Sequence, residues 1–261
     1  MAIYLIEGDA GCRAAAERGA IAVVVDALRT SATIPALLDA GAAEIIAVSG
    51  LEHAQRLKAE APGAILAGAI GGSPIPGFDL GNSPIEVRDA AARIRGRRVI
   101  FASTAGSRRL VEAIGAPRIH TGSLVNARPL ARHLSRTAAA EKRDIVFIPC
   151  GHVEANLETP EDAWAAAYIV SLMDQDVAEE SLEAYEKAIE PVVGRRPDAL
   201  FRETPSARRL ERLGLGRDIA AAAAVNVFRS VPVDDGVVDV PGGGHALRLV
   251  AAPRAEDDFN F

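Results

Sequence analysis

The chain has 261 residues, 49% of them hydrophobic and 25% charged, with a formal net charge of −6. That apolar content can build one large α/β domain or two lobes, and the acidic balance argues against nucleic acid as a partner. No apolar run reaches membrane length, no basic stretch leads into an apolar signal core, and two cysteines, Cys12 and Cys150, are too few for a disulfide framework, so a cytoplasmic protein is expected.

Met1 to Glu7 reads as a first strand and Ala10 to Arg18 as a helix. Ile21 to Val25 is an unbroken apolar, mostly β-branched run, the pattern of a strand buried on both faces. It stops at Asp26 and is followed by Arg29, the hydroxyls Thr30, Ser31 and Thr33, and an apolar-periodic segment to Gly41. This is strand, turn, helix, with Ser31 or Thr30 as the expected cap. Strands over Ala43–Val48 and Ala64–Ala67 flank a helix over Leu51–Glu60. Residues 68–84 form a long glycine- and proline-rich loop whose Ile75, Phe78 and Leu80 argue for order. Ser83-Pro84 opens a helix with a cap followed by proline in the first turn. Arg98–Ala102, Arg118–Thr121 and Asp144–Pro149 read as strands, each but the last followed by a helix.

After Cys150 the pattern changes. Thr159-Pro160-Glu161-Asp162 is a capping box that starts a helix to about Met173, and Asp176–Ile189, Pro205–Leu213 and Arg217–Val225 read as helical. Val227 to Val250 carries short strands broken at Asp234-Asp235-Gly236 and at Pro241–Gly244. The alternation predicts a three-layer α/β/α architecture around a mostly parallel sheet, with a boundary near Lys142 separating lobes 1–142 and 143–261.

Phosphate-binding motifs of the P-loop and dinucleotide type are missing. With only Lys58, Lys142 and Lys187 in the chain, any phosphate grip rests on arginines, backbone amides or a metal. Asp26 could hold a hard cation and Arg29 could grip an oxyanion with two parallel bonds. The alternative is that Asp26 and Ser31 only cap the helix while Arg29 is solvated. Ser103, Thr104 and Ser107 stand at another strand-to-helix turn and could equally be caps, as Glu161 and Asp162 could simply complement a helix dipole. Cys150 begins Cys-Gly-His152-Val-Glu-Ala-Asn156; an asparagine stands where a cysteine phosphatase would need arginine, so Cys150 reads as a buried strand-end residue beside the site. The functional reading rests on convergence. Asp26, the Ser103–Arg108 turn, Cys150 and Glu161-Asp162 all follow strands, and in a parallel sheet those ends share one edge.

Two stretches carry a resemblance: Asp26-Ala-Leu-Arg-Thr-Ser-Ala-Thr33 and Gly77-Phe-Asp-Leu-Gly-Asn-Ser-Pro84. With Ser103–Ser107, Gly122–Ala127, Cys150-Gly151, Glu161-Asp162 and Leu213–Asp218, they make the chain similar, from about Val23 to Val233, to the 2-phosphosulfolactate phosphatase family. The resemblance implies a Mg²⁺-dependent phosphatase of coenzyme M biosynthesis, with its site in a cleft between two lobes. It implies Mg²⁺ held by Asp26 with one or more of Asp79, Glu161 and Asp162. It places Arg29, Thr30, Ser31, Asn82, Ser83, Ser103, Thr104, Gly106, Ser107 and Arg108 against the substrate, and Asp26, Arg29 and Cys150 at the reaction. The expected partners are a small anionic phosphate ester and a second copy of the chain, with no nucleic acid and no membrane. Ala69-Ile70 departs from the family, which carries Glu-Arg there; this departure favours a rival reading, a non-catalytic anion-binding protein on the same scaffold.

Overall fold

A computed structural model describes residues 1–151 and 159–253. The Ile21–Val25 run forms the strand its composition dictates: every residue is buried, with Ile21, Val23 and Val25 on one face and Ala22 and Val24 on the other. In chain order the strands are β1 (Ala2–Leu5), β2 (Ile21–Val25), β3 (Glu44–Val48), β4 (Ile65–Ile70), β5 (Ser73–Pro74), β6 (Arg98–Ser103), β7 (Arg118–Thr121), β8 (Ile145–Pro149), β9 (Asp176–Val177), β10 (Pro232–Asp239) and β11 (His245–Ala251). They make a single sheet in the order β5-β4-β6-β3-β11-β10-β7-β2-β8-β1-β9.

The helices are α1 (Gly8–Arg18), α2 (Thr30–Asp39), α3 (Leu51–Glu60), α4 (Pro84–Asp89), α5 (Ala91–Ile94), α6 (Gly106–Glu112), α7 (Ala127–Glu141), α8 (Pro160–Val170), α9 (Glu179–Ile189), α10 (Pro197–Arg202), α11 (Pro205–Arg212) and α12 (Arg217–Ala222). One face of the sheet buries a continuous core with α1, α2 and α4 to α6. The other face carries two separate cores, one under α7 to α12 and one under α3. This is the expected three-layer α/β architecture.

The sheet contains two parallel blocks. One is β4-β6-β3 and the other is β7-β2-β8-β1-β9. Between them lies the β10–β11 hairpin, antiparallel to β3 on one side and to β7 on the other. Three reversals separate β6 from β2, so the two blocks run in opposite senses. The expected boundary near Lys142 does not split the sheet, because β8 lies inside the second block and pairs with both β1 and β2.

Three local readings change. Residues 68–70 and 73–74, expected within the long loop, complete β4 and form β5, which pair antiparallel. Asp234-Asp235-Gly236 bulges a continuous strand instead of breaking it, and Pro241–Gly244 is the turn of a hairpin. Asp176-Val177 leaves the expected helix to add a short strand beside β1. A two-residue edge pairing of this kind has no periodic signal.

Candidate active site

Asp26 ends β2 and turns the chain into α2. The Asp26 N–H donates to Ser31 Oγ at 2.8 Å, and Ser31 N–H donates back to the Asp26 carbonyl at 2.8 Å. Ser31 also meets Thr121 Oγ1 at 2.8 Å beneath the turn. Ser31 is therefore a buried brace of the turn and contacts no open space. The N-cap of α2 is Arg29, without a side-chain cap, and the Asp26 carboxylate lies beside the first turn, accepting from the Thr30 backbone and hydroxyl.

The same carboxylate reaches the other block. Gly106 N–H donates to Asp26 Oδ2 at 3.1 Å, and Thr30 Oγ1 lies 3.0 Å from Ser103 Oγ. These ends do not share one edge of a parallel sheet, as the sequence suggested. Five strand-to-strand steps separate β6 from β2, and a right-handed twist of roughly 20° per step turns one block on the order of 100° about the other. That rotation brings the carboxyl ends of two opposed blocks together over their shared core. Gly106 is required at the meeting point, because a Cβ there would collide with Asp26 Oδ2 and the Thr30 side chain.

A cleft opens where the blocks meet. Its walls include Asp26, Leu28 and Arg29 after β2, Ala69, Gly71 and Gly72 after β4, Ser103 to Ala105 after β6, and Gly151 after β8. Asn82 lies on the long loop, Thr159, Glu161 and Asp162 start α8, and Pro205, Ser206, Arg209 and Leu210 come from α11. Three carboxylates converge here almost fully buried. Asp162 Oδ1 accepts from Ala27 N–H at 2.8 Å, which locks the start of α8 onto the β2 turn. Glu161 is 1% exposed and its Oε2 has no hydrogen-bond partner among the described residues.

Burial raises all three carboxyl groups above their ordinary range. For Asp26, hydrogen bonds from Thr30 and the charge of Arg29 oppose the shift. Glu161 is pushed up to about 7, chiefly by burial, with the nearby hydroxyl of Ser206 pulling the other way. Asp162 is raised by burial and then by the negative charges of Glu161 and Asp26. Such mutually raised carboxyls mark a place where a cation or a proton is welcome.

Arg29 is buried in this cleft, but its fork is already engaged. Nη1 donates to Asp218 Oδ2 at 2.5 Å and Nη2 to the Gly72 carbonyl at 2.6 Å. Ser83, expected against the substrate, instead caps α4 and donates to Asp218 Oδ1 at 2.6 Å. Asn82 Nδ2 donates to Thr30 Oγ1 at 3.3 Å, and its Oδ1 is buried at the cleft wall without a partner among the described residues.

Several expected participants stand elsewhere. Asp79 Oδ2 accepts from Leu66 N–H at 2.9 Å, and the side chain is part of the loop's own wiring outside the cleft. Arg108 is paired with Glu112 on the outer face of α6. Ser107 is fully buried, donating to the Val48 carbonyl and accepting from Ser103 N–H. The Asp26 and Ser103 side chains take the Gly106 and Ser107 amides, so these two N–H groups at the start of α6 are already engaged. Cys150 is buried, and its thiol is raised well above the ordinary range by burial and by Asp26 and Asp162, so it stays protonated beneath the site. His152 and Asn156 lie outside the described residues.

Strand alternation also divides the Ala69-Ile70 pair: Ala69 lines the cleft, whereas Ile70 is 38% exposed and does not. Sequence reasoning assigned no role to Asp218, Ser206 or Arg209. Asp218 lay within a matched stretch, but only its ion pair with a residue 189 positions away shows what it does.

The sequence profile described as 2-phosphosulpholactate phosphatase matches residues 11–236. The chain belongs to this family. Among its relatives is a probable 2-phosphosulfolactate phosphatase of Carboxydothermus hydrogenoformans, 36% identical over 211 residues that cover 80% of this chain and 84% of the relative. A second, from Deinococcus radiodurans, is 34% identical over 236 residues, covering 88% and 93% respectively. Membership in the 2-phosphosulpholactate phosphatase family places the chain among phosphoric monoester hydrolases.

Proposed function

We propose that this protein hydrolyses a small phosphate monoester that carries a further acid group, of the kind represented by 2-phospho-3-sulfolactate, with Mg²⁺ as cofactor. The observation that carries this reading is the buried carboxylate cluster of Asp26, Glu161 and Asp162 at the cleft, with Glu161 Oε2 left without a partner among the described residues. Among the described residues no three His, Cys, Asp or Glu side chains form a metal cage. Mg²⁺ does not need one: it is commonly held by one or two carboxylates, with waters and substrate phosphate oxygens completing its octahedron. Asp26 and Glu161, hard oxygen donors raised by burial, fit that role, with Asp162 held beside them by Ala27. When bound, the ion would neutralise the phosphoryl oxygens and lower the pKa of a coordinated water.

The rest of the chemistry belongs to side chains. Ser103 and Thr104 hydroxyls and Asn82 Oδ1 stand at the wall where a phosphoryl group or its water would lie. Thr30, linked to Asp26, Ser103 and Asn82, fixes their mutual orientation. The Arg29–Asp218 pair is locally neutral, so Arg29 contributes its remaining N–H groups and a fixed dipole more than a free charge.

The test is hydrolysis of a panel of phosphate monoesters with and without Mg²⁺, with EDTA as control. The expected result is phosphate release that requires Mg²⁺ and favours esters bearing a second acid group. Ester binding without turnover at any metal concentration would overturn the reading in favour of an anion-binding protein.

A further inference from the structure

The cations among the described residues lining the cleft are Arg29 and Arg209. Arg29 is committed to Asp218 and to the Gly72 carbonyl. Arg209 reaches in from the middle of α11, with its guanidinium laid against the backbone of Gly71 and Gly72: a Cβ on Gly71 would stand 2.7 Å from Arg209 Nη2. No ion pair or side-chain hydrogen bond engages Arg209 among the described residues, and it is only half-buried. The same wall holds three carboxylates. A cleft so acidic repels a multiply charged anion unless a positive group faces each acid function.

A metal at the carboxylates would answer the phosphoryl group. It leaves the substrate's other acid functions without a partner, and Arg209 is the guanidinium placed to supply one. Glycine at 71 and 72 is what admits it: both residues have positive φ, and any side chain at 71 would fill the space the guanidinium occupies. We infer that Arg209 is the specificity residue of this site, binding the carboxylate or sulfonate of the substrate beyond the phosphoryl group. This inference rests on the phosphatase reading given above.

The experiment compares the wild-type protein with Arg209→Ala and Arg209→Lys on three esters with Mg²⁺: 2-phospho-3-sulfolactate, 2-phospholactate, which lacks the sulfonate, and isopropyl phosphate, which lacks both acid groups. For Arg209→Ala the expected loss in kcat/KM on the acid-bearing esters is roughly 10- to 100-fold, as for a lost charged hydrogen bond. It should appear mainly in KM and exceed the loss on isopropyl phosphate at least about ten-fold, with partial recovery in Arg209→Lys. A larger loss on 2-phosphosulfolactate than on 2-phospholactate assigns Arg209 to the sulfonate, and an equal loss on the two assigns it to the carboxylate. An equal loss on all three esters, or none on any, overturns the inference. If the wild-type protein hydrolyses none of them, the phosphatase reading fails by itself. Titration calorimetry with 3-sulfolactate then decides for Arg209, supporting it if the wild type binds and Arg209→Ala binds at least about ten-fold more weakly, and overturning it otherwise.

Discussion

Arg29 Nη1 and Asp218 Oδ2 are 2.5 Å apart, both side chains less than 5% exposed, at the floor of the cleft. The pair ties the first turn of α2 to the start of α12, and Ser83 holds the second Asp218 oxygen. Removing one member strands the other charge in the interior, so Asp218→Ala should destabilise the protein by about 3–5 kcal/mol. Arg29→Ala should cost a similar amount, and the double variant less than the sum, measurable by urea denaturation. Additive single effects would show that the two side chains act independently.

Asp26 should be indispensable for hydrolysis and dispensable for folding. Asparagine keeps an oxygen able to accept from Thr30 and Gly106, so Asp26→Asn should retain the wild-type circular dichroism spectrum. Changes in residues that merely orient metal ligands cost 10–100-fold, so loss of a direct carboxylate should lower Mg²⁺ affinity or activity by more than about 100-fold. Wild-type Mg²⁺ affinity by calorimetry in this variant would remove Asp26 from the metal site.

The junction of the two blocks tolerates no added atom at Gly106. Gly106→Ala should push Asp26 and Thr30 apart, destabilise by about 1–3 kcal/mol as overpacked sites do, and reduce hydrolysis out of proportion to its effect on stability. A thermal melt alongside the assay checks both. Unchanged activity would show that the Asp26–Gly106 contact does not position the carboxylate.

Glu161 makes stability fall as pH rises. Its folded-state pKa of about 7 lies above the unfolded value of 4.5, so between those pH values the folded protein holds the proton more tightly than the unfolded chain. The stabilising contribution is complete below about pH 4.5 and is lost as pH rises through about 7. Without divalent cations, the wild-type Tm should therefore decline from pH 5 to pH 8 more steeply than that of Glu161→Gln. Added Mg²⁺ should restore more Tm at pH 8 than at pH 5, because only the ionised carboxylates attract it. Parallel slopes for the two proteins would show that Glu161 titrates normally.

The local sequence determined the elements and many of the residues that meet. The apolar run of β2 can only be a strand covered on both faces, and Thr159-Pro160 can only start a helix, so Asp26, Glu161 and Asp162 were legible as acids at element ends. Their convergence was expected at a shared edge of one parallel sheet, and the structure brings them together from two opposed blocks instead. The tertiary structure decided which ends face each other. The insertion of β10–β11 between β3 and β7 reverses one block against the other, and periodicity cannot show this, because it reports how a strand is buried and not which strand lies beside it. The same holds for charge. Arg29 reads alone as a free anion grip, yet Asp218 neutralises it from 189 residues away, while Arg209, one arginine among several on α11, enters the cleft without an ion pair among the described residues, where Gly71 and Gly72 leave room for it. Ion pairing inside a cleft depends on which charges burial forces together, and that is set by the packing of the whole chain.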